Sequence, residues 1–282
     1  MKIILTEADR RRWAVCPGNI PVRLPFLVEG IYMKKVIKLA GMIVSLAVCC
    51  FSISQVAGYY RESEEAKEEF QELRLVVEEE IDAVSGTEKP VSRTEQYERL
   101  HEENPDFAGW VWIEGTRIDY PVMHTPDRPD YYLKRNFQKE YSAYGVPYIA
   151  ENCSMDGTCD NVIIYGHHMN DGSMFAGLMN YAKKSFYETH KVIQFDTLQE
   201  AIYYEVIAVF KTTVYGEDSF PFYEFVKAET ESEFDSYISE CKRNSLYEID
   251  ETAVYGEKLL TLSTCEYSRK NGRMVVVAKR ID

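Results

Sequence analysis

Three short stretches carry side chains able to do covalent chemistry. "LLTLSTCEYS" (259–268) ends an apolar run at Cys265, "NVIIYGHHMNDGSMF" (161–175) ends another at His167, and "GRMVVVAKR" (272–280) opens a strand with Arg273. Taken singly, each has an ordinary reading. Free cysteine is among the most buried residue types, and a histidine before a loop is usually a solvated surface group. Together they make a reactive set, provided the fold brings them together. In an antiparallel hairpin, residues whose numbers share one sum lie opposite each other. A connection over 266–272 therefore sets Cys265 across from Arg273, with β-carbons about 5 Å apart. A guanidinium there favours a thiolate and can donate two hydrogen bonds to a developing oxyanion. Lysine does not match that planar, permanent charge. An imidazole within reach of the thiol can act as its base, or as the acid for a leaving amine. His168 should project opposite to His167 if the strand pattern continues. His101, His124 and His190 have no partner suggested by their surroundings.

The elements that must position these groups begin at Phe107. Short β-branched and aromatic runs ("GWVWIEGTRIDYPVM", "VPYIAE", "NVIIYG", "KVIQF", "AIYYEVIAVFKTTV", "KLLTLSTC", "RMVVVAKR") alternate with Gly, Asn, Asp and Pro turns. Such spacing points to a mainly β fold of seven or eight strands, a closed or nearly closed barrel. Helical inserts are expected over about 174–184 and 229–244. The second places Phe234, Tyr237, Ile238 and Cys241 at helical spacing, which makes Cys241 a core residue. Upstream, 59–83 reads as a helix whose stripe of Ala66, Phe70, Leu73, Val77 and Ile81 runs among ten carboxylates. A solvated stalk and a helix packed on the domain both fit that pattern. Residues 84–92 read as a linker, and Ser92 with Glu95 resembles a capping box opening a helix to about Glu103.

The net charge of −14 argues against nucleic acid as a partner. Residues 1–38 carry eight Lys and Arg against three Asp and Glu, so the acidity lies downstream. Between the two regions, residues 39–57 ("LAGMIVSLAVCCFSISQVA") hold nineteen positions without a charge, close to a membrane-spanning length. Lys34, Lys35 and Lys38 precede this segment, so the positive-inside rule puts the N-terminus in the cytoplasm and the rest outside. A cleaved signal peptide is the alternative. "MKKVIKLAG" looks like a natural start, which makes 1–32 a mis-called extension before Met33. The expected organisation is that extension, a signal anchor over 33–58, an acidic helix and linker over 59–93, and a catalytic domain over 94–282. Of seven cysteines, four lie beyond the anchor, and Cys153 and Cys159 are close enough in sequence for a small disulfide loop in an oxidising setting. Cys153, Cys159, His167 and His168 lack any familiar zinc-ligand spacing.

"TLSTC", Arg273 eight positions later and "YGHHMNDGSMF" upstream resemble the sortases, specifically class B. The likeness extends through "NPDFAGWVWIEGTRIDYPV" and "YYLKRNF", so it covers roughly 95–282. It implies the sortase-type closed barrel, preceded by an N-terminal helix and a membrane anchor. It also implies a cofactor-free cysteine transpeptidase on the outer face of a Gram-positive membrane. By this analogy Cys265 attacks the threonyl carbonyl of a sorting signal on a secreted protein, His167 handles the protons of the leaving and incoming amines, and Arg273 steadies the oxyanion. Ser263, Thr264 and Glu266 would line the groove, with Leu133 and Tyr223 as looser matches. The acceptor would be a peptidoglycan precursor amine, or a lysine of another protein in a pilus-building enzyme. Pro129 departs from the asparagine that similar enzymes often carry four residues before the leucine. Papain-like peptidases place cysteine before histidine, and L,D-transpeptidases carry a "SHGC"-like run that "LSTC" lacks. A non-catalytic binding module on a stalk is the rival of a different kind.

Overall fold

The apolar runs downstream of Phe107 fold as eight strands that close on themselves. They are β1 (Phe107–Trp112), β2 (Asp119–Met123), β3 (Tyr148–Ile149), β4 (Asn161–Tyr165), β5 (Val192–Thr197), β6 (Ala201–Thr213), β7 (Leu259–Glu266) and β8 (Gly272–Ile281). The barrel order is β1-β2-β3-β4-β7-β8-β6-β5, and β5 returns to β1. Closure leaves no unpaired edge to protect. The structure is a computed structural model describing residues 26–82, 93–216 and 219–281.

β7 and β8 are covered on both faces, so they read as continuous apolar runs rather than as an alternation. Leu259, Leu260, Leu262 and the whole run Met274–Ala278 are buried. The β4–β7 pairing is parallel, from Asn161↔Leu259 to Tyr165↔Ser263. A parallel pair needs a long crossover, and here that crossover carries β5, β6 and the helical inserts. At its base, buried Asn161 accepts from Thr261 Oγ1 at 2.8 Å and donates to the Phe225 carbonyl at 2.8 Å. One side chain thus ties β4 to β7 and to the insert.

The first insert is not the single helix expected over 174–184. A 3₁₀ helix (Phe175–Ala182) is followed by a short α3 (Lys184–Thr189), because Lys183 between them has extended backbone. The second insert ends in α4 (Glu231–Asn244), capped by Thr230, whose side chain accepts from the Glu233 amide. α4 packs on β6 and buries Phe234, Tyr237, Ile238 and Cys241. α2 (Arg93–Glu103) lies against β1, where Tyr97 stacks on Trp110 and donates to Asp196 Oδ2 at 2.9 Å. The linker 84–92, Ser92 of the expected capping box, the chain up to residue 25 and the Ile81 side chain lie outside the described residues.

The chain divides into two compact units, residues 1–60 and 61–282, and helix α1 (Phe26–Asp82) runs through the boundary. In the first unit, Met42, Ile43, Val44, Leu46, Phe51 and Ile53 are all exposed. By length and composition this is a candidate membrane-crossing helix. In the second unit, α1 buries Ala66, Phe70, Leu73 and Val77, and Phe70 meets Tyr120 edge-on at 5.0 Å. The acidic helix therefore packs on the barrel and is not a free stalk.

Polar contacts fix its position. Glu69 Oε1 accepts from the Phe137 amide at 2.9 Å, and Ser63 donates to Asp171 Oδ2 at 2.8 Å. Asp171 lies in the loop just after His167 and also accepts from Tyr144 and from the Ser173 amide and hydroxyl. Burial pushes its carboxyl up, but the Ser173, Ser63 and Tyr144 donors outweigh that and bring it down to about 2. A carboxyl held below its unfolded value near 3.8 stabilises the fold above that pH and loses the contribution as pH falls toward 2. Asp171→Asn should cost about 1–2 kcal/mol near neutral pH. In urea titrations the gap from the parent should shrink between about pH 4 and pH 2; a gap constant across that window would contradict this role.

Candidate active site

Strand register assembles the three residues. Extending the parallel β4–β7 pairing two places beyond Tyr165↔Ser263 sets His167 beside Cys265. The continuation is held by hydrogen bonds: the Gly166 amide donates to the Ser263 carbonyl at 3.1 Å, and Thr264 Oγ1 donates to the Gly166 carbonyl at 2.8 Å. On the other side, antiparallel β7–β8 pairing places Cys265 opposite Arg273, the partner expected from the sequence. The strands run one pair further than expected, to Glu266↔Gly272, which shortens the loop to 267–271. Glycine permits this, since a β-carbon at 272 would lie 2.4 Å from the Glu266 carbonyl oxygen. Cys265 and Arg273 thus stand opposite each other on β7 and β8, with His167 two residues past the end of neighbouring β4, and all three are half-buried.

Cys265, next to last in the buried strand β7, is only half-buried, which leaves its thiol accessible. Tyr267, on the following loop, is exposed. Its phenol is pushed up by burial of the oxygen and by the nearby Cys265 thiol, and drawn down by Arg273. Tyr165, the last residue of β4, feels the Arg273 charge as well. Arg273 Nη1 donates to the Gly272 carbonyl at 3.0 Å.

His167 Nε2 lies 2.6 Å from the Leu133 carbonyl oxygen. A carbonyl only accepts, so Nε2 carries the proton and Nδ1 is left to exchange protons when the ring is neutral. Leu133 sits in a 3₁₀ turn (Tyr131–Lys134) entered through Asp130 at φ 55°, and Asp130 accepts from Tyr148 at 2.6 Å. The sequence resemblance assigns Leu133 to the groove wall; here its backbone is also the orienting partner of the imidazole. His168, which strand alternation expects to project away from His167, has its Nδ1 donating to the Cys265 carbonyl at 2.9 Å and its ring against Tyr267. Only the spatial pairing of β4 with β7, which the sequence did not disclose, could have shown this.

The other expected groove residues are placed as follows. Ser263 shares the Cys265 face by alternation, and its hydroxyl is buried without a hydrogen-bond partner among the described residues. Thr264 spends its hydroxyl on Gly166. Glu266 is buried: desolvation raises its carboxyl, but Ser268 and Lys211 outweigh that and hold it low, with Lys211 Nζ at 3.1 Å. Tyr223 is half-buried in the 3₁₀ turn Phe222–Glu224 of the insert, and its carbonyl accepts from Asn152. Pro129 is exposed beside Asp130.

The described geometry is a half-buried cysteine on a closed barrel, with an arginine across the hairpin and a carbonyl-clamped imidazole past the end of the adjacent strand. The sortase domain family model matches residues 111–281. Sortase B of Staphylococcus aureus is 35% identical over 188 residues, 66% of this chain and 75% of that protein. Sortase B of Listeria monocytogenes is 34% identical over 187 residues, 64% of this chain and 72% of that one. Among solved structures, the Staphylococcus aureus sortase B–substrate complex superposes with a TM-score of 0.68 at 30% identity, covering 79% of this chain and 99% of that one. Bacillus anthracis sortase B in complex with AAEK1 gives 0.66 at 30% identity, with 79% and 99% covered. The chain belongs to the sortase family, and its relatives make it a class B cysteine transpeptidase.

The imidazole geometry makes a direct prediction. Nitrogen-15 NMR of ring-labelled protein at a pH where His167 is neutral should show the proton on Nε2. A neutral Nδ1–H tautomer would contradict the Leu133 clamp.

Proposed function

We propose that this transpeptidase cleaves the C-terminal sorting signal of secreted proteins and joins them to an amine of a peptidoglycan precursor, on the outer face of the membrane that holds residues 39–57. The observation that carries the reading is the register that pairs Cys265 with Arg273 and brings the residues just past β4, His167 among them, alongside β7. The Cys265 thiol passes its proton to His167 Nδ1, its sulfur attacks the signal's scissile carbonyl, and the tetrahedral oxyanion forms beside Arg273. His167, oriented through Nε2, supplies a proton from Nδ1 to the departing amine, leaving a thioester on Cys265. The acceptor amine gives its proton back to Nδ1 as it attacks, and a second oxyanion collapses to the new amide. No cofactor or metal enters these steps. The substrate's residues would run along the groove by Ser263, Thr264 and Glu266, with Leu133 and Tyr223 on its walls.

Sidedness follows from Lys34, Lys35 and Lys38 ahead of the apolar segment. The uncharged stretch and its exposure in helix α1 support a single-pass anchor. Wall anchoring is favoured over pilus building because the short segment 84–106 lacks the Asp-Pro-aromatic signature expected of a lid that guards the groove of a polymerising enzyme. The test supplies enzyme in detergent with a sorting-signal peptide and either a glycine- or diaminopimelate-type amine or a candidate pilin. Transfer to the small amine is expected, and protein-to-protein ladders without such transfer would reverse the choice of acceptor. Cys265→Ala should abolish cleavage and transfer together. Arg273→Lys should lower kcat by about 100–1,000-fold with the fold intact, and near-normal turnover would remove the guanidinium from the mechanism.

A further inference from the structure

The mechanism makes no use of a second pair of thiols, Cys153 and Cys159. They bracket a seven-residue loop that leads into β4, at the opposite end of that strand from His167. Both are buried and unbridged. The loop between them has a defined shape. Asp156 Oδ1 accepts from the Thr158 amide and hydroxyl, and Gly157 takes φ 84°, a left-handed turn that glycine adopts without strain. This turn brings Cys159 back over Cys153, so that the Ser154 amide donates to Cys159 Sγ at 2.9 Å. That nitrogen is two bonds from the Cys153 α-carbon, so the Cys159 sulfur lies within about 5 Å of it, compatible with disulfide geometry. Cys153 Sγ in turn donates to the Asn161 carbonyl at 3.5 Å and accepts from the Ile163 amide at 3.4 Å.

We propose that Cys153 and Cys159 form a reversible disulfide, a covalent staple across the entry to β4 that closes in an oxidising environment. Its placement outside the cell rests on the functional reading above, whereas its chemistry rests on the loop alone. The two thiols are not equivalent. The neighbouring Cys153 thiol, then the Ser154 amide and the Lys258 charge, draw the Cys159 thiol down against the cost of burial, whereas the same neighbour and burial push the Cys153 thiol up. Cys159 also borders an open groove lined by Met155, Gly157 and Lys258, which gives an oxidant a path to it.

The reaction balances with a small disulfide such as oxidised glutathione as the oxidant. Cys159 thiolate attacks one sulfur of the oxidant, breaking its S–S bond and releasing one thiolate. Cys153 gives up its proton to that thiolate or to water and attacks Cys159 Sγ, expelling the second. Two protein thiols are oxidised by two electrons, and one disulfide is reduced to two thiols. Closing a loop this short should raise Tm by about 5 °C.

The test uses the full chain in detergent with Cys265→Ala, which keeps the active-site thiol out of the exchange and makes the result independent of any transpeptidase activity. The protein is equilibrated with oxidised and reduced glutathione, alkylated, digested with trypsin and analysed by mass spectrometry. No Lys or Arg lies between the two cysteines, so one peptide reports both. The expected result is that this peptide loses two hydrogens and takes no alkyl group under oxidising buffer, and takes two alkyl groups under reducing buffer. Cys153→Ser should leave Cys159 open to glutathionylation, whereas Cys159→Ser should leave Cys153 a free thiol. Two alkylated cysteines in folded protein after full oxidation would overturn the staple. Equal glutathionylation of the two single variants would overturn the assignment of Cys159 as the attacking thiol.

Discussion

The active site depends on one pairing, the parallel alignment of β4 with β7. It is the contact that brings His167 to Cys265, which lies almost a hundred residues downstream, and it is fixed at both ends by side chains. Asn161 and Thr261 join the strands at the base, and Thr264 reaches the Gly166 carbonyl at the top. Side chains alternate along a strand, so a slip of one residue would turn His167 to the opposite face and present His168 instead. The same slip would strip Asn161 of its buried partner, which costs more than an ordinary hydrogen bond contributes. The interactions that hold the barrel closed are therefore the ones that specify which histidine serves the thiol.

Around this register the site is oriented largely by backbone. The imidazole is clamped by a neutral carbonyl, that of Leu133. A neutral acceptor fixes the ring's tautomer without adding a negative charge that would disfavour a nearby thiolate. The charge placed across from Cys265 is that of Arg273, set there by β8 and suited to an anion that forms during reaction. His168 completes the arrangement by holding the Cys265 carbonyl.

Much of this was legible in the sequence, because hairpin geometry and apolar periodicity are local properties. Cys265 opposite Arg273, the β texture from Phe107, α4 with Cys241 inward and the apolar stripe of α1 all follow from residues near one another in the chain. What could not be read depends on long-range pairing. The β4–β7 register, the clamp from Leu133 to His167 and the Ser63–Asp171 tie each join segments more than thirty residues apart. The first insert was misjudged for a different reason: its apolar positions fit a helix, but extended Lys183 splits it into a 3₁₀ turn and a short α-helix.

The central claim is that this register makes Cys265 the residue that carries the acyl group. It is tested most directly by acid-quenched mass spectrometry of the full-length enzyme incubated with a sorting-signal peptide. The account predicts one thioester adduct, mapped to Cys265 and matching the peptide's N-terminal fragment, which disappears when an acceptor amine is added. Peptide cleavage without any adduct on Cys265, or an adduct on Cys153 or Cys159 instead, would contradict it.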